Sequence, residues 1–240
     1  MVKMKNDELE FDEETHTYTV KGKKLESVTE FVSRFFPAFD KEKVSERVAS
    51  KRGVTKEEVL EEWEAIADAG TMIHEEIENW INVRLRPIDD KAKRGVDWLI
   101  LSGYREAYPM MTSEKRIYSE QYGLAGTIDL LFIKSDDYTK SRAVLVDWKT
   151  NENLTTQNRY ELTSSEGPIS HLHNSKLNKY VLQLSTYAYI LEEEYDVIID
   201  ELVIVQLKED RFVEIKVDYL RNVVKNMLRE KLLEEWEDGV

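Results

Sequence analysis

Cysteine is missing from all 240 residues. Disulfides, thiolate-held zinc and cysteine-ligated iron–sulfur clusters are therefore excluded. Proline (4) and glycine (9) are scarce, and there is no low-complexity tract or internal repeat, so disorder is expected only at the ends. No apolar run approaches the roughly 20 residues of a membrane-spanning helix. The first residues, MVKMKNDELEFDEE, turn acidic at once and read as neither a secretory signal nor a transit peptide. The expectation is a soluble protein of the cytoplasm, or of a host cytoplasm if virus-encoded, with no membrane partner. Positive charge is also short: 34 Lys and Arg stand against 48 Asp and Glu, a net charge of −14. That argues against nucleic-acid binding through bulk charge, while leaving room for a local basic groove or an acidic metal site that meets phosphate through the metal.

What is present, 41% hydrophobic and 34% charged residues, suits one domain over 1–240 with a real core. Alternation and a Lys-Gly turn predict a β-hairpin over 9–26. Ser27 or Thr29 caps a helix through Phe36, which Pro37 ends. A second helix closes at Gly53. Thr55 and Glu58 form a capping box for a long helix with its apolar spacing from Val59 to Ile81, with Gly70 as its weak point. Another helix is predicted over 90–108. The pattern then becomes strand-like: 113–121, 126–134 and 142–150 read as a meander. A polar connection over 150–178 follows, long enough to be functional. An amphipathic helix from Lys179 to Tyr195, a hairpin around Glu209-Asp210 and a terminal helix over 218–238 complete the chain. The result is an α/β protein, a mixed sheet flanked by helices, with 1–69 as an N-terminal wall, 70–217 as the core and 218–240 as a C-terminal helix.

One stretch poses a chemical problem. In AVLVDWKTN (143–151) a buried strand ends by aiming Asp147 and Lys149 at the same face. One strand earlier Asp129 sits between Ile128 and Leu130, and antiparallel pairing brings it beside Asp147. Two carboxylates stripped of water repel each other and need a counter-charge. Mg²⁺ or Mn²⁺ meets that need, since hard oxygen donors suit these ions, and the Trp148 carbonyl is a further candidate ligand. Lys149 cannot bind a cation. It can hold and polarise a water or stabilise charge on a phosphorane. The set suits phosphodiester hydrolysis.

GTID (126–129) followed by VDWKT (146–150) resembles the PD-(D/E)XK nuclease superfamily in its RecB-like, Cas4-like exonuclease branch. GTMIH (70–74) is similar to the Gly-x-x-x-His motif of that branch, and QLSTY (183–187) to its Gln-x-x-x-Tyr motif. The resemblance runs in order from Gly70 to Tyr187. It implies a restriction-endonuclease-like fold, His74 as an extra metal ligand, and Gln183 and Tyr187 either at the site or supporting it. It also implies that Glu120 corresponds to the acidic residue that often precedes the Gly-x-x-Asp segment; the alternative is a strand surface charge. The cluster cysteines of the Cas4-like members are absent, as is a helicase motor, so the layout is that of a small free-standing, phage-type enzyme.

Candidate phosphate contacts are Arg84 and Arg86 between two helices and Lys176 and Lys179 beside the helix after the lysine strand. All four are equally what a highly charged surface carries. Tyr160 and Tyr180 are candidates for stacking on bases, and Trp148 is expected in the core. His171 and His173 read as solvated loop residues. The function expected from the sequence is metal-dependent DNA cleavage, by an exonuclease acting in replication, recombination or repair, with DNA and a replication or recombination protein as partners. Two alternatives stand beside it: a nuclease-fold protein that binds nucleic acid or a replication partner without cutting, and a phosphohydrolase acting on nucleotides.

Overall fold

A computed structural model of the chain describes residues 8–135, 140–156 and 167–238. Tyr160 and most of the turn after the second meander strand lie outside those residues. Eight strands form one mixed sheet, with helices packed on both faces.

The N-terminal segment is a three-stranded meander, β1 (Leu9–Asp12), β2 (Thr17–Val20) and β3 (Lys23–Ser27). Lys21 and Gly22 both have positive φ, 52° and 76°, which is how a two-residue turn matches the twist of its strands. Ser27 then caps α1 (Val28–Arg34) in a reciprocal box with Glu30. α2 (Lys41–Arg52) ends at Gly53, which takes the left-handed conformation. α3 (Lys56–Val83) starts from the Thr55–Glu58 box and runs 28 residues without breaking at Gly70. The helix expected over 90–108 is divided: α4 (Asp90–Leu101) stops, Gly103 turns with φ 76°, and the short α5 (Tyr104–Ala107) follows.

The meander is β4 (Met110–Ser119), β5 (Leu124–Lys134) and β6 (Ser141–Lys149), with the first two strands starting slightly earlier than expected. α6 (Lys176–Glu194) begins three residues earlier than its apolar spacing implies, because Ser175 accepts from the Asn178 N–H and caps it there. It connects β6 to its parallel neighbour β7 (Val197–Leu207). β8 (Phe212–Val217) returns antiparallel, and α7 (Arg221–Asp238) closes the chain.

β5 organises the site. Along one edge it pairs with β4 for almost its whole length. Its other edge is shared: β3 pairs with Leu124 and Ala125, β6 with Leu130–Lys134, and the residues between are left to other partners. One core packs α1, α6 and α7 on one face, through residues such as Phe31, Leu145, Ile190 and Met227. The other packs α3 and α4 on the opposite face, through Ile77, Trp98, Phe132 and Val205. Ile128, Leu131 and Ile133 belong to the first core and Leu130 and Phe132 to the second, so the in-out alternation of β5 slips by one residue around Asp129. Among the described residues, no helix is long and apolar enough to cross a membrane.

Candidate active site

The slip has a cause on the neighbouring strand. Glu114, whose φ is +46°, stands at the rung opposite Asp129, and the β4–β5 ladder skips that rung while pairing on both sides of it. A non-glycine residue with positive φ is costly in a strand. Here it turns the Glu114 carboxylate toward Asp129. On α3, Ile73 and Ile77 are buried in the core below, which rotates His74 toward the same point. His74 Nδ1 lies 3.6 Å from Asp129 Oδ2. One donor atom each from His74, Glu114 and Asp129 falls within 4.8 Å of the others, the geometry of a candidate cation site.

Asp129 and Asp147 come together as their sequence neighbours demand. The last β5–β6 pair is Leu130 with Val146, so the next rung sets Asp129 against Asp147. The strands splay there, and the Trp148 N–H donates to Asp129 Oδ2 at 2.8 Å instead. The backbone of Trp148 thus reaches the site as a donor, while its indole packs edge-on against Trp98 at 5.3 Å in the core.

Asp147 is 2% exposed. Lys149 Nζ lies 2.7 Å from its Oδ2, close enough to pair the charges. The angles of that contact miss those of a hydrogen bond, so Oδ2 is a buried oxygen with no hydrogen-bond partner. Lys149 also sits 4.4 Å over the ring of Tyr180, whose hydroxyl donates to Asn151 Oδ1.

The electrostatics follow from burial of like charges. Burial pushes the Glu114 carboxyl up to about 8, with Asp129 and Glu78 adding to the shift and Arg116 opposing it. Burial likewise pushes Asp147 up to about 7, held back by Lys149 and raised further by Asp129. For Lys149, burial works against the charge, but Asp147 and Asp129 outweigh it and hold the ammonium above its usual range. Tyr187 is 3% exposed, and burial raises its hydroxyl well above the ordinary range, so it stays protonated.

Gln183 and Tyr187 both line the cleft and bond to each other, Gln183 Nε2 to Tyr187 Oη at 3.1 Å. Gly126 explains their setting: a Cβ there would lie 2.5 Å from the Tyr187 ring, so only glycine lets the ring lie flat on β5. The cleft holds about 580 Å³ and runs from His74, Glu114 and Asp129 to the N-terminal strands. A smaller cleft of about 300 Å³, lined by Trp63, Lys149 and Tyr180, lies on the other side of α3, and His74 lines both.

Other expected residues lie elsewhere. Glu120 is in the β4–β5 turn, its side chain 57% exposed and 3.3 Å from Lys21. The carboxylate beside Asp129 is therefore Glu114 and not Glu120, and Glu114 rather than Asp147 completes the trio with His74. Sequence reading missed Glu114, although the hairpin register held the signal. Strands bounded at 121 and 126 put Tyr118 opposite Asp129, whereas the observed turn puts Glu114 there. Arg84 ends α3, its guanidinium 4.5 Å over Trp80, about 15 Å along the helix from His74. Arg86 is exposed in the loop that follows. Lys176 is exposed at the start of α6, and Lys179 lies against the Phe36 ring at 5.0 Å; neither lines the two clefts.

No family model matches the chain, and no curated protein matches it. Among solved structures the chain is similar to the crystal structure of SSO0001, at 15% identity over 90% of this chain and 78% of that one, with a TM-score of 0.35, a likeness too slight to bear on the site.

Proposed function

We propose that the chain is a metal-dependent deoxyribonuclease, an exonuclease built on a restriction-endonuclease-like core and taking Mg²⁺ or Mn²⁺. The observation that carries this reading is the convergence of His74, Glu114 and Asp129 one rung from the buried Asp147–Lys149 pair. The donor set fits such an ion: carboxylate oxygens with one imidazole nitrogen suit a hard divalent cation, and raised carboxyl pKa values mark negative charge that lacks a counter-ion. The partnerless Asp147 Oδ2 gives the same indication.

His74, Glu114 and Asp129 would hold the ion, with Asp147 beside them. Bound there, a divalent cation supplies positive charge against a scissile phosphate and a lowered pKa for a nearby water. The remaining work falls to the chain. Asp147 keeps Lys149 charged and fixed at the edge of the site. Lys149, donating from its ammonium, orients a water for attack on phosphorus and then meets the negative charge that develops on the phosphoryl oxygens. The Tyr180 ring beneath Lys149 limits its swing. Gln183 and the protonated Tyr187 form a neutral hydrogen-bonding wall opposite, able to donate to a phosphate or base edge. Work on DNA places the protein in the cytoplasm, or in a host cytoplasm for a virus-encoded chain, alongside replication or recombination partners.

The test is incubation with end-labelled single-stranded and double-stranded linear DNA and with closed circular DNA, each in Mg²⁺, Mn²⁺ and EDTA. Metal-dependent loss of the linear forms alone, abolished in Lys149→Ala, is the expected result. Turnover retained in a folded Lys149→Ala protein would remove Lys149 from the mechanism. Cutting of the circle would make the enzyme an endonuclease, and no cutting in any metal would leave a binding protein.

A further inference from the structure

The larger cleft has a wall that the chemistry above does not use. Phe11, on β1, lies 4.5 Å from Tyr18 with the rings 33° apart, and His16 meets Phe11 edge-on at 5.0 Å. The Arg116 guanidinium sits 4.8 Å over the Phe11 ring. All four line the cleft that holds His74, Glu114 and Asp129. The wall is anchored to the site strand, since Tyr18 Oη and Thr127 Oγ1 are 2.9 Å apart and Arg116 pairs with Thr127 in the β4–β5 ladder. Thr127 is two residues from Asp129, about 7 Å along β5.

The charge of the cleft limits what this wall can receive. Among the described lining residues Arg116 is the single Lys or Arg, facing Glu13, Glu75, Glu78, Glu114 and Asp129. A phosphate backbone gains little there away from a bound metal, and a duplex, with two backbones, is repelled more than a single strand. An uncharged aromatic face is not repelled, and it gains from stacking on Phe11 and His16 and from the nearby guanidinium. Thr29, Thr71 and Gln183 offer hydrogen bonds to the edge of a base.

We infer that the Phe11–His16–Arg116 wall is a stacking site for a nucleobase at the end of a single strand, seated beside the His74–Glu114–Asp129 cluster. The inference rests on the nuclease reading for the identity of the ligand. The substrate class it assigns is a single-stranded or frayed end with its bases unpaired.

The test is binding of the full chain, in EDTA so that nothing is cut, to single-stranded oligonucleotides carrying 2-aminopurine along their terminal nucleotides. Matched oligonucleotides carry abasic sites at those positions. The intact end should bind the wild-type protein about tenfold more tightly than the abasic end, with quenched 2-aminopurine emission at the stacked position. Phe11→Ala should bind both equally and weakly, and Phe11→Trp should restore the preference. Because the wild-type comparison needs no variant, a folding defect in Phe11→Ala cannot mask the answer. Equal wild-type affinity for intact and abasic ends, or a preference that survives Phe11→Ala, overturns the site. A preference retained with no cleavage in Mg²⁺ upholds the site and overturns the nuclease reading. Cleavage without the preference does the reverse.

Discussion

The carboxylate that most clearly separates a working cation site from a strand-end salt bridge is Glu114. It adopts φ +46° in a strand, is pushed up to about 8 by burial, and stands at the rung of Asp129. Strain and desolvation together persist where something offsets them, and a cation does so for both. Glu120 has neither feature and is paired with Lys21 in solvent. Glu114→Gln is therefore expected to weaken divalent-metal binding, and cleavage with it, by at least about a hundredfold, since even residues behind the ligands of metal sites cost about ten- to a hundredfold. Glu120→Gln should leave both unchanged. Calorimetric titration with Mn²⁺, beside a cleavage assay on each variant, checks the pair, and equal effects from the two would detach Glu114 from the site.

Two glycines of the motifs behave differently once placed on their elements. Gly126 is held by the Tyr187 ring, which a Cβ would meet at 2.5 Å, and both partners are buried where neither has room to move. Gly70 lies in the middle of α3, where a Cβ would meet only Thr150 Oγ1 at 3.6 Å, an ordinary contact. Gly126→Ala should therefore cost about 1–3 kcal/mol through overpacking. Gly70→Ala should stabilise α3 by about 0.5–1 kcal/mol, the difference between the two residues in a helix interior. Urea unfolding of the two variants measures both, and destabilisation by Gly70→Ala would mean that the helix needs the close approach to Thr150. The same elements show what could be read in advance. Helix starts marked by capping boxes, at Ser27 and Thr55, and strands with strong apolar cores were legible, as was the meeting of Asp129 with Asp147, because each follows from local chemistry or from period-two alternation. The unbroken course of α3 was not, because packing of Ile73 and Ile77 outweighs the modest cost of one glycine. The break at Gly103 and the sharing of one β5 edge by β3 and β6 were not legible either: the first depends on a positive φ, the second on pairing between residues far apart in the chain. The place of Glu114 fell in the same gap, since alternation cannot reveal a rung where alternation fails.

At the scale of the whole molecule the site is a reserve of unbalanced negative charge in a chain already at −14. Both Glu114 and Asp147 have folded-state values, about 8 and about 7, above the ordinary carboxyl value near 4 that they regain on unfolding. A raised value means that the folded protein holds the proton more tightly than the unfolded chain. The stability it contributes is fully present below the unfolded value and is lost as pH rises through the folded one. Without metal, these two groups should therefore make the fold progressively less stable between about pH 5 and pH 9. Lys149 limits the Asp147 share, because the pair keeps opposite charges together. Metal must displace both protons to bind, so the stabilisation it brings should grow over the same window. Thermal unfolding in EDTA and in Mn²⁺ across that range tests the relation when read as the difference between wild type and Glu114→Gln, which cancels the contribution of all other titrating groups. The expected difference in EDTA turns in favour of Glu114→Gln as pH rises through about 8, because the variant carries no charge to bury, and it reverses in Mn²⁺, where the wild type alone has its full ligand set. A flat difference in both conditions would mean that Glu114 is solvated in the folded protein and that the cluster is an ordinary acidic surface.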